Sequence, residues 1–193
     1  MIPLLLASAS PRRKAILEGL GYEFKVHHVD CEEVCIADDP IATVLYNAKR
    51  KARALREVYK EAFIIAADTV VSFRGRIYGK PSSKEEARAW LTSFSGQTQT
   101  VYTAVAFVDP KAKHSEVFVE ASSLRFKNYG VDTVDDYLYR VKPYDRAGAY
   151  DINAHGEILI ASHTGSYSNI MGLPKKLVFA WLRSHGVHRK MQG

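Results

Sequence analysis

The chain has little of what would tie it to an oxidising compartment or to a membrane. Of its 193 residues only two are cysteines, Cys31 and Cys35, and both lie in one acidic segment. A C-x-x-x-C pair without companion ligands makes neither a disulfide framework nor a zinc site, so two free thiols are expected. The longest apolar runs, such as "AFIIAA", fall far short of the roughly 20 residues that a membrane helix needs. No basic segment precedes the few apolar residues at the start, so no secretory leader is read there. The expectation is a cytoplasmic protein. Internal repeats and low-complexity linkers are also missing, and 193 residues are read as a single domain.

Several catalytic signatures are absent too. There is no G-x-G-x-x-G and no H-E-x-x-H. "YGKPSS" invites comparison with a phosphate-binding P-loop, but Pro81 stands where that loop needs Ser or Thr, and three residues rather than four separate Gly75 from Gly79. "GSYSNIMG" carries no G-x-S-x-G elbow, so a serine hydrolase lacks its nucleophile signature. The seven histidines are scattered, and His27-His28 reads as strand surface.

What is present is ordinary for a globular chain: 47% hydrophobic and 25% charged residues. The net charge of +6 admits nucleic acid, a membrane surface or a small polyanion as partner. Eleven tyrosines could stack on bases, which keeps a nucleic-acid-binding module in view. Against it, the basic residues are spread along the chain and no RNA-binding signature or basic arm occurs.

The order of elements reads as a strand at 4–7, a helix at 11–20, a strand at 22–29, an acidic loop at 30–39 and a long helix at 40–61. A strand "FIIAADTVVSF" follows, then a turn at Arg74-Gly75, "RIY", and the loop "GKPSS". Ser82 and Ser83, with Glu85 and Glu86 three residues on, give overlapping capping boxes for a helix to about Phe94. Strands are expected at 99–108 and 115–127, joined by the turn-rich "DPKAK". A helix at 133–140, strands near 150–153 and 157–163, and a helix at 174–184 complete the reading. Mixed elements without regular alternation suggest an α/β or α+β sheet domain with two lobes and a cleft.

Three features stand out because charge interrupts pattern. First, "LLLASASPRRKAILEGLG" joins an apolar strand to a helix through a hydroxyl-rich turn. Ser10 falls at the N-cap, Pro11 at the first helical position and Gly21 just past the end. A helix N-terminus with open N–H groups beside Arg12 and Arg13 suits an anion, though solvated arginines on a capped helix fit as well. Second, the long helix carries the stripe Ile41, Val44, Leu45, Ala48, Ala52, Leu55, Val58. At about 100° per residue Lys51 falls inside that stripe, so it must snorkel, pair with a carboxylate or meet an anionic ligand. Third, Asp68 breaks an apolar, β-branched run. It is either paired or placed where the strand meets a cleft, as a metal ligand or acid/base group. Asp30, Glu32 and Glu33 add oxygens that suit a hard cation such as Mg²⁺, or else form a solvated loop. Lys80 adds a cation on a loop between strand and helix. Cations over a polyphosphate, with a carboxylate-held metal ion, are what phosphoanhydride cleavage needs.

At these residues the sequence resembles the Maf family of nucleoside triphosphate pyrophosphatases. The resemblance runs through "SASPRR" (8–13), "EE" (32–33), "KRKA" (49–52), "ADTVV" (67–71), "GKP" (79–81), "SGQTQTVYTAVA" (95–106), "DRAGAY" (145–150) and "GSYSNIMGLP" (165–174). It implies an α/β fold with a long twisted mixed sheet, flanking helices and two lobes around a cleft, similar to the inosine triphosphatases. It also implies a homodimer and hydrolysis of a nucleoside triphosphate to the monophosphate and pyrophosphate. By matching position, Ser8, Arg12, Arg13, Lys51 and Lys80 would contact phosphates. Asp68 would act in catalysis with Glu33 on Mg²⁺ or Mn²⁺ and the attacking water. Relatives that prefer 7-methyl-GTP tend to carry a bulky residue after the Pro and Ser-Asp-Gln in place of Ala-Asp-Thr. Arg12 and Ala67-Asp68-Thr69 look more like the dTTP/UTP branch. The chain departs from the family's usual Asp-Lys-Ala-Gly-Ala-Tyr-Gly-Ile-Gln-Gly, reading "DRAGAYDINA": Arg146 keeps a charge, Asp151 replaces a Gly, and Asn153 stands at the substrate-binding Gln. Those departures leave open a catalytically weakened, nucleotide-binding regulator of cell division.

Overall fold

The computed structural model describes residues 2–112 and 114–190. Seven strands form one mixed sheet in the order β2-β1-β3-β5-β6-β7, with β4 added to β3. β1 (Leu4–Ala7) runs parallel to β2 (Lys25–Val26) and to β3 (Phe63–Phe73). β4 (Arg76–Tyr78), β5 (Thr98–Val108), β6 (Glu116–Phe126) and β7 (Ile160–Thr164) continue it antiparallel.

Side chains alternate across a strand, so the apolar runs of β1 and β3 supply two buried faces rather than one. Leu5, Ala7, Ile64 and Ala66 pack under α2 (Pro40–Val58), against Val44, Ala48, Ala52 and Leu55. Leu4, Leu6, Ile65 and Ala67 face the other way, onto α1 (Pro11–Glu18) and α7 (Lys175–Ser184), where Leu17, Trp181 and Leu182 close the layer. Farther along the strands, Val71, Phe73, Leu124 and Phe126 meet α3 (Lys84–Phe94) and α4 (Val131–Val141) through Leu91, Phe94, Tyr137 and Leu138. Two helical lobes therefore sit over different ends of one long sheet, and a cleft lies between them.

Most expected elements are present. The Arg74-Gly75 turn has both residues at positive φ, 50° and 75°, as a two-residue hairpin of the primed type requires. At α3, Ser83 accepts from the Glu86 N–H at 3.1 Å, while Glu86 reaches back to Ser82, whose N–H and hydroxyl donate to it at 2.6 and 2.7 Å. The connection after β5 falls where the turn was expected, its last residue, Lys113, lying outside the described residues.

Five readings need correction. The strand expected at 22–29 pairs only at Lys25 and Val26, because β2 is a sheet edge and its flanks follow the loop instead. α2 stops at Val58, since Tyr59 leaves helical geometry to turn the chain into β3. Ile41 and Val58 of its stripe are exposed at 45% and 70%, lying beyond the strands that the middle of the helix covers. Residues 150–153 form no strand: the Asp151 N–H donates to the Tyr137 hydroxyl at 2.8 Å and its carboxylate accepts from the Asn153 N–H at 2.9 Å. Those groups are spent locally rather than on a ladder. Residues 157–159 belong to the short helix α5 (Gly156–Leu159), with β7 beginning only at Ile160. A second short helix, α6 (Tyr167–Ile170), stands in the "GSYSN" segment, capped by Ser166.

Candidate active site

The sheet itself opens the site. β1 pairs with β3 as far as Ala7 opposite Ala66, and β4 joins the same edge only at Val71 opposite Tyr78. Between them the edge of β3 from Ala67 to Val70 has no strand beside it. A cavity of about 730 Å³ fills this gap, bounded by the end of β1, the start of α1, the acidic loop, α2, Lys80 and the 145–152 and 170–172 segments. Period-2 alternation then sends neighbouring residues to opposite faces: Asp68 points to α2 and Thr69 to α1.

On the α2 face, three residues one turn apart hold the acidic loop along the helix. The Thr43 hydroxyl accepts from the Ile36 N–H at 3.0 Å, and the Asn47 amide makes a reciprocal pair with the Val34 backbone at 3.0 Å each way. Lys51 Nζ, one turn on, donates to Glu33 Oε1 and to Asp68 Oδ1, both at 2.7 Å. Asn47 Nδ2 also donates to Asp68 Oδ2 at 3.1 Å. Lys51 is only 8% exposed and Asp68 4%, so of the three alternatives open to a lysine in a buried stripe, pairing with carboxylates is the one realised. Asn47 and Thr43 were missed in the sequence. Their signal was their spacing of four from one another and from Lys51, which puts them on the same face.

On the α1 face, Arg13 is held from three directions. Its Nε donates to the Gly172 carbonyl at 2.8 Å, one terminal nitrogen to Thr69 Oγ1 at 3.0 Å and the other to Ser8 Oγ at 3.3 Å. Thr69 in turn pairs with Thr103 at 3.0 Å, and Thr103 donates to the Asn169 carbonyl at 3.0 Å. This explains the "SNIMG" segment, whose backbone turns under the guanidinium. Gly172 has φ +96°, and a Cβ there would lie 3.2 Å from both Arg13 Nε and Thr69 Oγ1, so both conformation and space call for glycine. Ser10 occupies the N-cap with extended backbone but makes no side-chain cap; instead its N–H donates to Ser8 Oγ at 3.2 Å. The first turn of α1 thus keeps its open N–H groups beside the cavity, as an anion site requires.

Arg12 crosses the cleft. One of its terminal nitrogens donates to Asp151 Oδ2 at 3.0 Å, and Arg146 Nε donates to the same oxygen at 3.0 Å. Arg146 also pairs with Asp145. Lys80 lines the cavity from the opposite loop, exposed, near Glu33 and with no hydrogen bond or salt bridge among the described residues. Asn153 does not belong to the cavity lining. It is exposed at the rim, where its Oδ1 accepts from the Tyr167 hydroxyl and its Nδ2 lies 3.4 Å from Met171 Sδ. Of the eight residues expected to form the site, the fold brings seven together, and Asp151 holds the place beside Arg12.

The protonation pattern follows from these contacts. Burial pushes the Asp68 carboxyl above the ordinary aspartate range, with the Lys51 ammonium opposing it. Glu33 goes the other way: burial acts to raise it, but the hydrogen-bonded Lys51 and the nearby Lys80 and Arg13 outweigh that and hold it low. Asp151 is likewise held low, by the Asn153 N–H, Arg12 and Arg146 against its burial. Burial lowers the Arg13 guanidinium from its usual value, with Asp68 and Glu33 opposing. Two adjacent carboxylates with pKa values pushed apart are the pattern of assigned acid/base roles.

The model of the family described as Maf-like protein matches residues 3–185. The chain belongs to the Maf family. Among its Maf relatives, a protein of Halalkalibacterium halodurans named dTTP/UTP pyrophosphatase is 38% identical over 187 residues, 96% of this chain and 97% of the relative. One of the same name from Desulfotalea psychrophila is 39% identical over 173 residues, 89% of each. The fold is shared with a solved structure of the Staphylococcus aureus Ham1 protein, at TM-score 0.55 and 13% identity over 94% of this chain and 98% of that one. The Maf site here carries five cations, Arg12, Arg13, Lys51, Lys80 and Arg146, and five carboxylates, Asp30, Glu33, Asp68, Asp145 and Asp151.

For a divalent ion the donors fit one mode of binding. Among the described residues no group of three or more His, Cys, Asp and Glu side chains gathers to form a protein cage. Lys51 stands between the two candidate ligands, Asp68 and Glu33, yet Glu33 Oε2 has no hydrogen-bond partner among the described residues, on a side chain 52% exposed beside the cavity. A hard cation held by one or two carboxylates and completed by substrate phosphates and water suits that arrangement.

Proposed function

We propose that this protein hydrolyses a pyrimidine nucleoside triphosphate, dTTP or UTP, to the monophosphate and pyrophosphate. The observation that carries the reading is the pair on opposite faces of β3: Asp68, buried and raised toward a base's pKa, and Thr69, tethered to Arg13 at 3.0 Å. One strand thereby fixes the group that activates water relative to the group that grips phosphate. Identities of 38% and 39% along most of the chain with relatives named dTTP/UTP pyrophosphatase support the substrate class.

In this reading Arg13 and the open N–H groups of α1 seat the triphosphate, Arg12 and Ser8 flank it, and Lys80 closes on it from the facing loop. Asp68 takes a proton from the attacking water, using lone pairs left free by Lys51 and Asn47. Lys51 keeps the deprotonated form of Asp68 accessible and offsets charge that builds as the phosphoanhydride breaks. Glu33 and Asp68 are the residues that would hold Mg²⁺ or Mn²⁺, which when bound supplies charge neutralisation on the phosphates. Asn153, at the rim, would touch the nucleotide's outer end. The reading includes one domain over residues 1–193, a cytoplasmic setting in keeping with two free cysteines, and a homodimer of 21.6 kDa chains. The reading includes no nucleic acid or membrane partner; among the described residues no helix is long and apolar enough to cross a membrane.

The test is a Mg²⁺-supplemented panel of dTTP, UTP, CTP, GTP, ATP, ITP and 7-methyl-GTP with products separated by ion exchange. Monophosphate and pyrophosphate, fastest from dTTP or UTP, is the expected result. Binding without turnover of any member would favour the nucleotide-binding regulator instead.

A further inference from the structure

Asp151 does something in the cleft that the proposed reaction does not require. Its side chain is 9% exposed and the residue is held from behind by two hydrogen bonds. Oδ1 accepts from the Asn153 N–H at 2.9 Å, and its own N–H donates to the buried Tyr137 hydroxyl at 2.8 Å. That leaves Oδ2 aimed at two guanidiniums from different lobes, Arg12 on α1 and Arg146 on its own segment, both at 3.0 Å. Arg12 and Arg146 are partly open to the cavity, with side chains 28% and 26% exposed. Two arginines converging on one oxygen at the wall of a cleft form an anion subsite, and here a residue of the chain occupies it. Cations and carboxylates balance five to five around the cavity, so the resting cleft is close to neutral although its ligand is read as a polyanion.

We propose that Asp151 is a tethered competitor of the substrate's phosphates: it fills the Arg12–Arg146 subsite in the free protein, and a phosphate group of the nucleotide or of pyrophosphate displaces it from Arg12. The proposal rests on the polyphosphate reading of the cavity and deepens it. An anion anchored through Tyr137 and Asn153 cannot leave with the guanidinium, so when Arg12 turns to a phosphate the carboxylate stays nearby as a like charge that Arg146 alone still offsets. Binding of every polyphosphate is therefore weakened, and release of pyrophosphate is hastened by the carboxylate closing back on Arg12. The opposite role, in which Asp151 holds two mutually repelling arginines ready for the ligand, predicts the opposite sign on its removal.

The experiment is isothermal titration of inorganic pyrophosphate into the wild-type protein, Asp151→Asn and Asp151→Ala, at low and at 0.5 M salt, with steady-state dTTP kinetics alongside. The two variants cover different risks: Asn keeps the shape and the bond to the Asn153 N–H, while Ala removes both polar atoms, and thermal melting reports whether each is folded. The expected result is a pyrophosphate Kd lower by about 10-fold in both variants, the order expected for removing one like charge at close range in a partly exposed site. The gain should shrink at high salt, since screening acts on the exposed side of the cleft. KM for dTTP should fall in parallel while kcat does not rise. A Kd unchanged or raised in folded variants overturns the proposal, and a raised one assigns Asp151 to holding the arginines in place. Absence of nucleotide turnover by the wild-type protein would count against the proposed reaction alone, because the pyrophosphate titration reads the subsite without it.

Discussion

Replacing Lys51 by Met removes the charge that lets a carboxylate sit inside the sheet layer. Asp68 and Lys51 side chains are 5% and 10% exposed and meet at 2.7 Å. At that distance and an effective dielectric near 20, their attraction is about 6 kcal/mol, against which stands the cost of taking both ions from water. Breaking such a pair from one side leaves the other charge buried, which costs about 3–5 kcal/mol. For a chain of this length, that corresponds to a melting point lower by about 10 °C. The Glu33 contact adds little, since that side chain is half exposed. Asp68→Asn should cost less, about 1–2 kcal/mol, because the long Lys51 side chain can carry its ammonium toward the cavity it lines and Asn47 keeps an acceptor. Adding Asp68→Asn to Lys51→Met should therefore recover stability, a coupling of at least about 1 kcal/mol in urea unfolding. The sign with pH follows. Losing Lys51 raises Asp68 further above its unfolded value, and a raised acid loses stability as pH climbs through the unfolded pKa. The Lys51→Met deficit should widen from about pH 4 upward. A deficit below about 1 kcal/mol at pH 7, or additive effects in the double variant, would refute the bridging role.

Further expectations concern the rest of the site. In the proposed reaction Asp68 acts deprotonated and burial raises its pKa, so kcat should fall on the acid side of a limb lying above the ordinary aspartate range, and Glu33 and Asp151, both held low, should not set it; a pH–rate profile measures this. Lys80→Ala should leave the unfolding free energy within about 0.5 kcal/mol of wild type, since Lys80 is exposed and makes no hydrogen bond or salt bridge among the described residues, yet raise KM for the nucleotide several-fold. Asn47→Ala strips partners from Val34 and Asp68 and should destabilise by about 1–3 kcal/mol, with faster amide exchange at Val34 than at core positions of β3.

Much of this site was legible before the fold because its residues violate local patterns. Lys51 stands in an apolar stripe and Asp68 in an apolar strand, and a buried charge demands a partner whatever the tertiary structure. The geometry then identified each as the other's partner, which no spacing rule connects, since they come from a helix and a strand that meet only in the folded layer. What stayed illegible lies where backbone groups are satisfied by side chains from afar. The 150–153 segment reads as a strand by composition, but Tyr137 and Asp151 take its hydrogen bonds. Asn153 was placed in the site by its register with the family, whereas contacts with Tyr167 and Met171 hold it at the rim. Ile41 and Val58 continue a periodic stripe past the edge of the sheet that gives the stripe its purpose.

The most direct measurement is the turnover of dTTP by wild type and Asp68→Asn in Mg²⁺, with products resolved by ion exchange and nucleotide affinity measured for both. Thymidine monophosphate and pyrophosphate from the wild type, with kcat at least about 100-fold lower in a folded variant that still binds dTTP, is the predicted result. Diphosphate and orthophosphate as products, or a variant that turns over at the wild-type rate, would contradict it.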